Sequence, residues 1–121
     1  MIKASSIVRP EITYTALVGR VIEHARETSR LHQQQIAETL GITQSAYSRL
    51  EKGQSAMSVT QLRQIATRLG IQPGAILHEA DRLAAVLRSQ GAVISDEKQE
   101  PGAAGLLIAL GLLAAVLAAS R

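Results

Sequence analysis

The chain has 121 residues, a formal net charge of +3 and no cysteine, so disulfides and thiolate metal centres are excluded, and its length holds one domain with an appendage. It contains neither Phe nor Trp and only two Tyr, so its core must come from Leu, Ile, Val and Ala, which suits a helical bundle and disfavours a sheet. The three histidines, His24, His32 and His78, share no ligand spacing, so no metal site and no cofactor are expected.

Residues 1–12, with Ser5, Ser6 and Pro10, show no helical period and read as a loose arm in which Ile7 and Val8 form a short extended stretch. From Tyr14 to Ser29 the apolar stripe Leu17, Val18, Val21, Ile22 and Ala25, with Arg20, Glu23, Glu27 and Arg30 outside it, predicts a first helix. Gln33 to Leu40 carries Ile36, Ala37 and Leu40 at helical spacing. Gly41 then stands where the chain must leave this second helix at positive φ, which only glycine does cheaply. His32, before it, caps less well than a hydroxyl would.

Thr43 can cap a third helix whose Ala46, Tyr47 and Leu50 turn back toward the second. Gln44, Ser45, Ser48 and Arg49 then face outward. Two helices crossing steeply over so short a turn need a small residue at their approach, and Ala37 supplies it. A fourth helix opens on Ser58 and Gln61 in capping-box spacing, presents Val59, Leu62, Ile65, Ala66 and Leu69, and stops at Gly70. Pro73 suits the first turn of a fifth, which carries Ile76, Leu77, Ala80, Leu83, Ala84 and Leu87 to a stop near Gly91. That stripe outruns a small bundle and predicts a dimer contact, with packing along its own domain as the alternative.

Residues 92–102 include SDEKQEPG, polar and broken by Pro and Gly, the composition of a mobile linker that lets its two neighbours move independently. Residues 103–120 then form a hydrophobic helix, and Ala103 to Ala119 hold no polar side chain. At about 1.5 Å per residue this stretch reaches roughly 26 Å, slightly under a hydrocarbon core of about 30 Å, so a short single membrane span is one reading. An oligomerisation seam of Leu106, Leu110, Leu113 and Leu117 is the other. The span is preferred because a seam in water leaves a charged outer face, and this helix has none.

Taken together, Leu31 to Gly53, reading LHQQQIAETLGITQSAYSRLEKG, resembles the helix-turn-helix of the Cro and phage-repressor family, also called the XRE family, and the likeness covers roughly Leu17 to Leu77. With the composition, the resemblance implies an all-α fold, a five-helix repressor-like bundle over residues 13–91, to which the sequence adds a separate C-terminal hydrophobic helix. It implies that Gln33 meets a DNA phosphate, that Gln44 is the principal base reader, that Arg49 reaches guanine or phosphate, and that Thr43, Ser45 and Ser48 complete the DNA-binding face. Arg26 and Glu51 stand where related domains bury an ion pair. Arg20, Arg26, Arg30, Arg49 and Lys52 concentrate positive charge between the first and third helices.

The expected function is therefore not enzymatic. It is that of a sequence-specific transcriptional regulator, a dimeric repressor on double-stranded DNA, its cytoplasmic DNA-binding domain anchored at the inner membrane by the tail. Two competing readings are a membrane-anchored adaptor that uses the same fold to bind protein, and the antitoxin of a toxin–antitoxin pair.

Overall fold

The computed structural model describes residues 8–119, so Ser5, Ser6 and Ile7 of the expected arm and Ser120 of the expected C-terminal helix lie outside the described residues. Five helices follow the punctuation of the sequence: α1 (Tyr14–Thr28), α2 (Gln33–Leu40), α3 (Gln44–Glu51), α4 (Val59–Leu69) and α5 (Pro73–Ser89). Gly41 and Gly70 end α2 and α4 in the left-handed conformation, at φ 70° and 72°. The Ser58 hydroxyl accepts from Gln61 N–H at 3.0 Å while Gln61 accepts from Ser58 N–H at 2.9 Å, closing the capping box at the start of α4. At the start of α2 the weak cap at His32 is offset by Gln35, whose side-chain carbonyl accepts from His32 N–H at 2.7 Å.

The apolar stripes of these helices meet in one core, with Leu17, Ile22, Ile36, Tyr47, Ile65 and Leu83 wholly buried. Around it the structure departs from the sequence reading in four places. Residues 11–13, expected to lie in or beside a loose arm, form strand β1 (Glu11–Thr13), and residues 93–95 of the expected linker form β2 (Val93–Ser95). The two pair in parallel, Ile12 opposite Ile94, and Val93 N–H donates to the Pro10 carbonyl at 2.8 Å. A two-stranded pair alone is marginal in water. Here Ile12 is wholly buried, α6 (Ala104–Ala119) packs on β1, and β2 packs on α5.

The linker is anchored a second time. Gln99 is buried, its side-chain carbonyl accepting from Thr13 N–H at 2.9 Å and its own N–H donating to the Gly53 carbonyl at 3.3 Å. Val93–Ser95 and Gln99 are thus each held to main-chain partners.

The hydrophobic helix falls short of the length of a span. At sixteen residues α6 extends about 24 Å by the usual rise, and no helix among the described residues is long and apolar enough to cross a membrane. Instead Leu106, Ala109 and Leu113 enter the common core, and α6 lies against β1 and α5. Its approach is close: a Cβ on Gly105 would stand 2.5 Å from the Arg9 carbonyl oxygen. The seam of Leu106 and Leu113 therefore faces the chain's own bundle. The stripe of α5 is largely covered from within, since Ile76, Ala80, Leu83, Ala84 and Leu87 are buried and Leu77 alone of its members is 37% exposed, so it offers little ground for a dimer contact.

Candidate nucleic-acid interface

Helix α3 is short and held firmly from behind. The Thr43 hydroxyl accepts from Ala46 N–H at 3.1 Å to cap it, and Tyr47, Leu50 and Glu51 form its buried side. On α1 the residue facing its C-terminal end is Gly19, where a Cβ would lie 2.0 Å from the Glu51 carbonyl oxygen. The two backbones therefore touch with no side chain between them. With its inner side so fixed, α3 turns Gln44, Ser45 and Arg49 into solvent, and Ser48 is half-buried beside them.

Gln33, Gln44, Ser45, Ser48 and Arg49 line one concavity, and Lys52 closes its far side. Thr43 stands outside that lining, at the cap, with its hydroxyl oxygen committed to the helix and its hydrogen free to donate. Arg49 Nη1 donates to Ser45 Oγ at 3.1 Å, one helical turn away, which leaves the remaining guanidinium donors outward and the Ser45 hydrogen unspent. Lys52 was legible in the sequence only as part of a basic cluster; its place directly after Glu51 is what brings it to the rim.

Beneath the concavity lies a buried carboxylate with four donors. Glu51 is 1% exposed; its Oε2 accepts from Arg26 Nε at 2.9 Å and from Tyr47 Oη at 2.6 Å, and its Oε1 from Arg26 Nη2 at 2.9 Å and Gln33 Nε2 at 3.1 Å. Arg26 spends its remaining terminal nitrogen on the Leu31 carbonyl at 2.9 Å. Burial pushes the Glu51 carboxyl up, but the bonds from Arg26, Tyr47 and Gln33 outweigh it and hold the group below the usual carboxylate range. The Tyr47 phenol moves the other way: burial, and then its bond to the Glu51 carboxylate, push it far up, so it stays a donor. The hydroxyl of Tyr47 and the bond from Gln33 to Glu51 had no signal in the sequence beyond the one-turn spacing of Tyr47 and Glu51.

The positive field is narrower than the residue list suggests. Arg26 is neutralised by Glu51, and Arg20 Nη1 is bonded to both oxygens of Glu23 at 3.2 and 3.3 Å on the opposite side of α1, facing α6. Arg30, Arg49 and Lys52 are the exposed members of the cluster.

What this arrangement offers is an exposed helix face of amide, hydroxyl and guanidinium groups. Their donors and acceptors match those on base edges and phosphates. Residues 22–76, from α1 into α5, match a family model described as helix-turn-helix. Comparison of the chain with curated proteins and with solved structures gives no match.

Proposed function

Because residues 22–76 belong to the XRE-type helix-turn-helix family, whose role is DNA-binding transcription regulation, we propose that this chain is a sequence-specific regulator that lays α3 in the DNA major groove. One observation carries the reading: Gln44, Ser45 and Arg49 stand free on a helix whose opposite side is fixed by Tyr47, Leu50 and Glu51. Only a face so braced can hold its side chains in register with base edges.

In this reading Gln44 bonds adenine N6 and N7 together, Arg49 reaches a guanine or a phosphate, Ser45 reads less selectively, and Thr43 and Ser48 touch backbone. Gln33, at the first position of α2, meets a phosphate with support from the helix dipole. Lys52 adds a phosphate contact at the rim. An eight-residue helix reads only a few base pairs, so selective binding calls for two copies on a two-fold site, with their α3 helices about one DNA turn apart. Repression then follows from occupying a promoter.

Selection of bound duplexes from a randomised pool, followed by footprinting, tests the proposal. The expected product is a palindromic site with half-sites centred about 10 base pairs apart. A recovered pool no different from the input would overturn it.

A further inference from the structure

The four donors on Glu51 bear on Gln33. A carboxylate offers acceptors only, in about four lone-pair positions. All four are taken: two by Arg26, one by Tyr47 and one by Gln33. Because this carboxylate is held ionised by Arg26 and Tyr47, only the amide nitrogen of Gln33 can face it, never the amide oxygen. The orientation of a glutamine amide, normally free to flip, is thereby decided from inside the protein. The carbonyl and the second N–H of the amide are left for outside partners, and Gln33 lines the concavity shared with Gln44.

We propose that Tyr47 is a positioning residue for DNA binding: its hydroxyl, by occupying Glu51 Oε2 at 2.6 Å, keeps the other carboxylate oxygen turned to Gln33 and so fixes the amide that meets DNA. The inference rests on the DNA-binding reading of this face. Tyr47 is wholly buried and touches no ligand itself. Without its hydroxyl, Oε2 retains only the Arg26 Nε bond, and the carboxylate can pivot on the guanidinium fork. Oε1 then need no longer point at Gln33. Ring packing is preserved by phenylalanine, which makes Tyr47→Phe a change of the hydrogen bond alone.

A double-mutant cycle on the full chain provides the test, using a duplex recovered by selection and a random-sequence duplex of equal length. Tyr47→Phe should weaken binding to the selected duplex by about threefold to tenfold when Gln33 is present, the scale of one hydrogen bond, and leave binding unchanged in the Gln33→Ala background. The thermal unfolding shift from Tyr47→Phe should be similar in both backgrounds. As a readout independent of DNA, NMR should show the two Gln33 side-chain amide protons widely separated in the wild type, and averaged toward those of exposed glutamines in Tyr47→Phe. Equal loss of affinity in both backgrounds, or no loss with Gln33 present, would overturn the positioning role while leaving the regulator reading intact. Failure of the wild type to bind any duplex would instead overturn the regulator reading, and the positioning role with it, whatever the amide protons show.

Discussion

Helices α3 and α6 each press one side into the same core, yet their outer sides could hardly differ more. Behind α3 lie Tyr47, Leu50 and Glu51, and its free face carries Gln44, Ser45 and Arg49. Behind α6 lie Leu106, Ala109 and Leu113, and its free face is apolar too, with Leu107 65% and Ile108 42% exposed. In α3 the contrast between faces is what a groove reader requires: a rigid buried back and an exposed polar front. In α6 no contrast exists, so nothing in its pattern says which side turns inward. An amphipathic helix announces its orientation, whereas a uniformly apolar one leaves it to the packing.

The contrast can be broken first at its strongest point, the ion pair behind α3. Arg26→Met should cost about 3–5 kcal/mol in chemical unfolding, because it leaves the Glu51 carboxylate buried without its counter-charge. Since Glu51 is held below its ordinary value of 4.5, the stability it contributes is complete above that pH and is lost as pH falls through the lowered folded value. In unfolding titrations the gap between wild type and Glu51→Gln should accordingly be constant above pH 4.5 and shrink below it. A gap that widened in acid would reverse the assignment.

Behind α6, Leu113→Ala should cost about 2–5 kcal/mol by the usual cavity argument. A neutral result in the same unfolding assay would mean that α6 is not part of the core. At the front of α3, Gln44→Ala should cost on the order of 1–3 kcal/mol on the preferred duplex and relax selectivity at one position, with thermal stability unchanged. Losses of equal size on every sequence would take base reading away from Gln44. Arg49→Ala should lower the slope of binding against salt by about one unit if its contact is to phosphate, and leave the slope alone if it is to guanine. Smallest of all is the front of α6: Ile108→Lys should stay within about 0.5 kcal/mol, as exposed substitutions do. A larger loss, measured at several protein concentrations, would reveal that something covers this face.

How far each part could be read beforehand follows the same physics. The five bundle helices are legible because their signals are local: Gly41 and Gly70 at the stops, Thr43 and Ser58 at the starts, Pro73 in the first turn of α5. The strand pair is not, since three-residue strands set eighty positions apart along the chain leave no period to detect. Gln99 misleads for a related reason. In a stretch rich in charge it looks solvated, but its partners are the main-chain groups of Thr13 and Gly53, which no side-chain pattern records. The outward residues of α3 follow from its cap and apolar spacing, and their DNA roles from the family resemblance, while the bond joining Gln33 to Glu51 and the withdrawal of Arg20 to the α6 side depend on distances in space. Charge counted along a sequence overstates the field when partners are hidden elsewhere.

Gly19 has a consequence for how such a molecule can change. Bare main chain of α1 rests against the C-terminal end of α3, so at that end the placing of the helix is set by backbone on backbone. In the proposed role, one end of the mount is fixed by main chain, and the exposed Gln44, Ser45 and Arg49 can change without disturbing that contact.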